Sequence, residues 1–171
     1  IFLLPLNKII EEIKENNWIK NVKLSTNFKE TLFIDIEEYK PIGIYAYNNK
    51  LFYFDNTGKI IDELNKNKKN NEDLIIFYGP SSNLEAQNIL EILENLDFLK
   101  KYEVSKMEYV KKRRWNIYLT SNIKLMLSEN YPIISIENFQ NIEKNLSEID
   151  TNNINYIDLR NINKTLVSYN E

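Results

Sequence analysis

The chain contains no histidine, no cysteine and only three glycines among its 171 residues. Without histidine it lacks the commonest general base and the commonest zinc ligand. Ser-His-Asp and Cys-His chemistry are therefore excluded within it. Without cysteine there is neither a disulfide framework nor a thiolate site, which permits an oxidising compartment without requiring one. The few glycines assemble no G-x-G-x-x-G and no P-loop, so those phosphate cradles are excluded. Wholly apolar runs are a few residues long, far below the ~20 needed to cross a bilayer as a helix. The first residue is Ile1 rather than methionine. A fragment or processed chain is expected, with any membrane anchor or signal lying upstream.

What remains is the composition of a folded protein. Hydrophobic residues make up 43% and charged residues 27%, as in soluble globular domains and unlike disordered tails. The length suits one ordinary domain or two small ones. A net charge of −3 supplies no basic field, so no nucleic-acid partner is expected.

The stretch from Trp18 to Tyr45 organises the rest. Leu6, Ile9, Ile10 and Ile13 recur at helical spacing and predict a helix over 5–16, with Pro5 near its first turn. Val22 and Leu24 alternate, as do Leu32, Ile34 and Ile36, and the polar segment 25–30 between them turns the chain back. This predicts a hairpin with one buried face. Pro41 withholds a ladder N–H and marks the end of that sheet or an edge. A meander follows: Ile42, Ile44 and Ala46 alternate, Asn48-Asn49 turns into 51–55, and Asn56-Thr57-Gly58 turns into 59–61. Residues 65–73 read as a solvated loop and Leu74 to Tyr78 as a short strand. Ser82-x-x-Glu85 has the form of a capping box, and Ala86, Ile89, Leu90 and Leu93, continued by Leu96, form an apolar helical stripe. Strands return at 104–110, then at Trp115, Ile117 and Leu119, then at Ile123, Leu125 and Leu127 after a Ser121-Asn122 turn. Phe139, Ile142, Leu146 and Ile149 predict another helix. A strand over 154–160, a turn at 161–164 and a last strand over 165–169 complete the chain.

Three stretches resemble motifs of one family, in the family's order. The first is Trp18-Ile19, the basic strand Lys20 to Leu24, then Thr31-Leu32-x-Ile34-x-Ile36-x-Glu38 and Pro41. The second is Arg113-Arg114-Trp115-x-Ile117-x-Leu119, followed by a turn and a strand ending at Glu129. The third is Ile154-x-x-Ile157-Asp158-Leu159-Arg160. Between them, Phe52-Tyr53-Phe54-Asp55-x-x-Gly58 matches the family's aromatic-x-Asp-x-x-Gly hairpin. On these residues the chain resembles the bacterial cell-division proteins of the FtsQ/DivIB family.

The resemblance implies an α+β fold. Residues 1–40 would be the C-terminal part of a POTRA domain (helix plus β-hairpin), and 41–171 a mainly antiparallel β domain with two packed helices. It implies a non-enzymatic divisome scaffold, the periplasmic region of a single-pass inner-membrane protein concentrated at the division septum. It implies recruitment of the FtsB/FtsL complex, with FtsK and other divisome proteins as partners of the POTRA part, and no cofactor. Independently of family, a last strand has no successor in sequence, so one backbone edge is left for strand addition by a partner. Carried over from the family, the partner-binding residues are Arg113, Arg160, Asn161, Lys164, Leu166, Ser168 and Tyr169. Asn161 departs from the aromatic that many relatives place after the D-[LM]-R arginine.

Other chemistry was weighed on the residues. Asp35, Glu37 and Glu38 cluster in sequence, and Asp35 and Glu37 share a strand face. They read as solvated charge rather than an acid/base or cation pair. Asp158 beside Arg160 reads as a structural ion pair rather than a catalytic carboxylate. The basic run Lys111 to Arg114 reads as solvated charge rather than a nucleic-acid or lipid patch, and the family resemblance adds a dock for an acidic segment of a partner. Trp18 and Trp115 are expected to be buried and Tyr169 to face a partner. Two rival functions remain: a POTRA-bearing chaperone for outer-membrane or secreted substrates, and a small carboxylate hydrolase.

Overall fold

A computed structural model describes residues 5–27, 31–64, 74–144 and 153–170. The fold is α+β, with two sheets. Helix α1 (Leu6–Lys14) leads into strands β1 (Ile19–Thr26) and β2 (Leu32–Glu38), which pair antiparallel as a two-stranded sheet. The expected apolar face forms by cross-strand pairing of Val22 with Ile36 and Leu24 with Ile34. Only Val22 on it is buried, whereas Ile34 and Ile36 stay 46% and 45% exposed. The prediction of a buried face on this hairpin is thus corrected. Two strands and one helix supply too little surface to cover it.

The second sheet has nine strands. They are β3 (Gly43–Tyr47), β4 (Lys50–Phe54), β5 (Ile60–Glu63), β6 (Ile76–Tyr78), β7 (Val104–Val110), β8 (Arg114–Leu119), β9 (Lys124–Leu127), β10 (Ile154–Asn161) and β11 (Lys164–Tyr169). Their spatial order is β11-β10-β9-β8-β7-β6-β3-β4-β5. Hairpin neighbours pair antiparallel, while β3 with β6, β6 with β7, and β9 with β10 pair parallel. Parallel neighbours need a crossover. Helices α2 (Ser82–Asn95) and α3 (Phe98–Lys101) connect β6 to β7, and α4 (Pro132–Glu143) connects β9 to β10. Of the residues expected in the last helix, Leu146 and Ile149 lie outside the described residues.

Both crossovers place their helices on one face, α2 over β3 and β6 and α4 over β9 and β10. The strand positions facing them read Phe77, Met107, Ile117, Leu125, Ile157 and Val167 in lateral register. All but Val167 are fully buried, and Ala86, Ile89, Leu93, Ile136 and Phe139 pack onto them from the helices. Trp115 joins this core, as expected. The helical stripe behaves as predicted, but the capping box does not form. Ser81, at φ 65°, precedes the helix without a side-chain cap. Glu85 accepts instead from Asn88 Nδ2 at 3.2 Å, and the buried Ser82 Oγ has no partner among the described residues.

Two local devices shape the β3–β5 end. Asp55 is buried at the β4–β5 turn, where its Oδ1 accepts from Thr57 N–H (2.9 Å), Thr57 Oγ1 (2.6 Å) and Lys59 N–H (3.0 Å). Burial pushes its pKa up, but these donors together hold it below the ordinary carboxylate value. Gly43 sits beneath two rings, and a Cβ there would lie 2.6 Å from the Phe77 ring and 2.9 Å from that of Phe54.

The two sheets meet through Trp18, which is half-buried rather than buried. Its ring stands edge-on to Tyr53 at 5.2 Å, and its Nε1 donates to Asp62 Oδ2 at 3.2 Å. Asn17 Nδ2 reaches the other oxygen at 3.4 Å. Tyr39 closes the same corner, its N–H donating to Trp18 O at 2.8 Å and its ring lying 4.4 Å beneath the Lys59 ammonium. Asp62→Ala removes both side-chain acceptors and should weaken this attachment by about 1–2 kcal/mol. Amide exchange would then speed up across β1 and β2 and stay unchanged in β7 to β9.

Candidate functional site

Among the described residues strand β11 has one neighbour, β10, and lies at one end of the nine-stranded order. Direction along it follows from the ladder. Asn170 N–H donates inward to Asn153 O at 2.7 Å, and Lys164, Leu166 and Ser168 pair with Asn161, Asp158 and Tyr156. Because a strand alternates, the backbone groups of Thr165, Val167 and Tyr169 point away from the sheet. Leu166 and Tyr169 are 50% and 49% exposed. The edge is therefore open and apolar along part of its length.

The structure brings six of the seven expected residues together on the β10–β11 hairpin: Arg160, Asn161, Lys164, Leu166, Ser168 and Tyr169. Arg113 stands apart. It closes the β7–β8 turn with Lys111 and Lys112, which have positive φ, and its Nη1 lies 3.5 Å from Glu129 Oε2. Asn161 uses its Oδ1 to accept from Asn163 N–H at 3.0 Å, a turn-forming bond that an aromatic cannot make.

Arg160 is held by Asp158 on its own strand. Its Nε donates to both carboxylate oxygens, at 2.8 and 3.0 Å, and Nη2 to Oδ2 at 2.5 Å. The Arg160 side-chain hydrogen bonds hold the Asp158 pKa below its ordinary value against the opposing effect of burial, and the Arg160 N–H and charge assist. A carboxylate depressed on folding contributes stability above its unfolded pKa, and this is lost as pH falls through the folded value. Below pH ~4, the protection of β11 amides, relative to their unstructured exchange rates, should therefore fall in the native chain. Asp158→Asn should flatten that fall over the same window.

Glu37 Oε1 pairs with Lys20 Nζ at 2.7 Å. No group of three or more His, Cys, Asp or Glu side chains among the described residues is placed to hold a metal ion. No described helix is long and apolar enough to cross a membrane.

Sequence reasoning missed the sheet face opposite α2 and α4. Its β3–β5 end is covered, since Ile44, Tyr53 and Ile61 pack with Trp18 and Tyr39. Over β6 to β10 no described helix or strand covers it. One lateral row there reads Lys106, Tyr118, Lys124 and Tyr156, and the next reads Tyr78, Glu108, Asn116, Met126 and Asp158. These residues are scattered in sequence and become neighbours only once strand register is known.

Exposed Leu166 and Tyr169 on β11, with Arg160 beside them on β10, thus lie at one end of a helix-backed mixed sheet. The family model of the cell division protein FtsQ/DivIB C-terminal domain matches residues 44–160, and the chain belongs to that family. It is 33% identical over 129 residues to cell division protein FtsQ of Rickettsia conorii, covering 75% of this chain and 47% of the relative. The protein of the same name from Zymomonas mobilis is 28% identical over 127 residues, covering 74% and 39%. That from Bartonella bacilliformis is 24% identical over 140 residues, covering 80% and 42%. The chain thus spans about half the length, or less, of these relatives.

Proposed function

We propose that the chain is a non-enzymatic scaffold of the bacterial division machinery, and that it recruits a partner by strand addition at β11. The observation that carries this reading is the outer edge of β11, unpaired among the described residues, where alternation turns the Thr165, Val167 and Tyr169 backbone groups outward. Family membership directs the choice of partner to the FtsB/FtsL complex, with Arg160 and Arg113 as complements to acidic groups on it. On this reading the protein is a single-pass inner-membrane protein, anchored N-terminally to this region, with the region in the periplasm at the septum. Residues 1–40 form the POTRA part, which contacts FtsK and other divisome proteins, and residues 41–171 form the binding domain.

The test is capture of the juxtamembrane region of FtsB by the native chain and by Val167→Pro, Arg160→Glu and Tyr169→Ala. Strand addition requires Val167→Pro to abolish capture while the domain stays folded. Undiminished capture by all three variants would overturn the mode.

A further inference from the structure

We infer that the open sheet face over β6 to β9 is a second docking surface, and that its occupant is an acidic extended segment of a partner protein. The core of the surface is Tyr118. Two ammonium groups rest on its ring, Lys106 Nζ at 4.5 Å and Lys124 Nζ at 5.5 Å from the centroid, and Lys106 also faces Tyr78 at 5.9 Å. Neither lysine forms an ion pair among the described residues.

The carboxylates of the same face are already engaged. Glu108 Oε2 accepts from Asn116 Nδ2 at 2.8 Å and from Tyr118 Oη at 3.0 Å, and Asp158 is enclosed by Arg160. Arg114 donates to Asn116 Oδ1 at 2.8 Å and has no carboxylate partner among the described ion pairs. Burial and the Glu108 hydrogen bond both raise the Tyr118 pKa, so the phenol stays a neutral donor. Lys106, Arg114, Lys124 and Arg160 thus outnumber Glu108 and Asp158, and the described face is net positive on a chain whose net charge is −3.

Charge complementarity selects an acidic ligand, and the geometry selects an extended one. Tyr78, Lys106, Glu108 and Tyr118 line a shallow groove of about 180 Å³. Alternate carboxylates on an extended segment stand roughly 7 Å apart, a spacing that two lysines leaning onto one ring can meet together. The inference does not rest on strand addition, since this surface lies two or more strands inward from β11.

The probe is a short synthetic peptide in which Glu alternates with Ser, titrated into the isotopically labelled intact chain at low salt. Saturable shifts centred on Lys106, Tyr118 and Lys124 are expected. The double variant Lys106→Glu/Lys124→Glu should bind about tenfold or more weakly, with the milder Lys106→Gln/Lys124→Gln pair used if the reversal disturbs folding. Val167→Pro should leave this binding unchanged, so that failure of the edge reading and failure of this one are told apart. Equal affinity of both lysine-pair variants, shifts elsewhere, equal binding of a Lys-Ser peptide, or binding confined to phosphatidylglycerol vesicles would each overturn it.

Discussion

Phe77→Ala should cost about 3–5 kcal/mol of stability, lowering the melting temperature by roughly 10 °C for a domain of this size. Phe77 is the middle residue of β6, the three-residue strand that joins β3 to β7. It is fully buried, and its ring stands edge-on to Phe54 at 5.4 Å and to Trp115 at 5.9 Å. Alanine would leave a cavity at the seam between the β3–β5 part of the sheet and the rest. A strand with so few ladder bonds does little to close it.

Gly43 provides a sharper check on this cause. In the native chain a Cβ at 43 collides with the Phe77 ring. Gly43→Ala should therefore be clearly destabilising alone, and much less so beside Phe77→Ala, where the ring is gone and only Phe54 remains close. Strict additivity in thermal or urea unfolding would show that the two positions do not share this space, and the packing account would fail.

Much of the fold is legible in the sequence because its signals are local. Trp115, Ile117 and Leu119, then Ile123, Leu125 and Leu127, alternate cleanly and are buried as the alternation requires. The α2 stripe sits at helical spacing and faces the core. The expectation of an edge strand at 165–169 agrees with the position of β11 at one end of the described strand order.

What was not legible depends on distant partners. Nothing near Ile76 announces that three residues will lie at the seam of a nine-stranded sheet, paired parallel on both sides. The Ser82-x-x-Glu85 pattern matches a capping box in letters only, because Ser81 adopts the left-handed conformation and Ser82 becomes the first helical residue. Ile34 and Ile36 alternate as well as any strand here, yet remain exposed, since alternation reports which face is apolar and not whether anything covers it. Lys106, Tyr118 and Lys124 meet only through the registers of β7 with β8 and β8 with β9. The acceptor of the Trp18 indole, Asp62, is 44 residues away in the chain.

Val167→Pro should abolish partner capture and leave the domain folded, while Leu166→Pro should unfold the hairpin itself. The contrast comes from backbone direction. Asn170 donates inward, so alternation turns Leu166 and Ser168 inward and Val167 outward. Proline at 167 deletes an N–H that no described strand uses, as tolerated on edge strands. Its ring keeps part of the contact that Val167 makes with the core beside Ile157, so the stability loss should be about 1–2 kcal/mol. Proline at 166 instead removes a β10–β11 ladder bond opposite Asp158 and frees the strand that an incoming peptide must pair with. Both variants would then fail to capture, for different reasons, and amide exchange in β10 tells them apart: protected in Val167→Pro, lost in Leu166→Pro. Capture that survives Val167→Pro with β10 still protected would mean the partner does not pair with this edge. Recognition would then have to come from side chains alone.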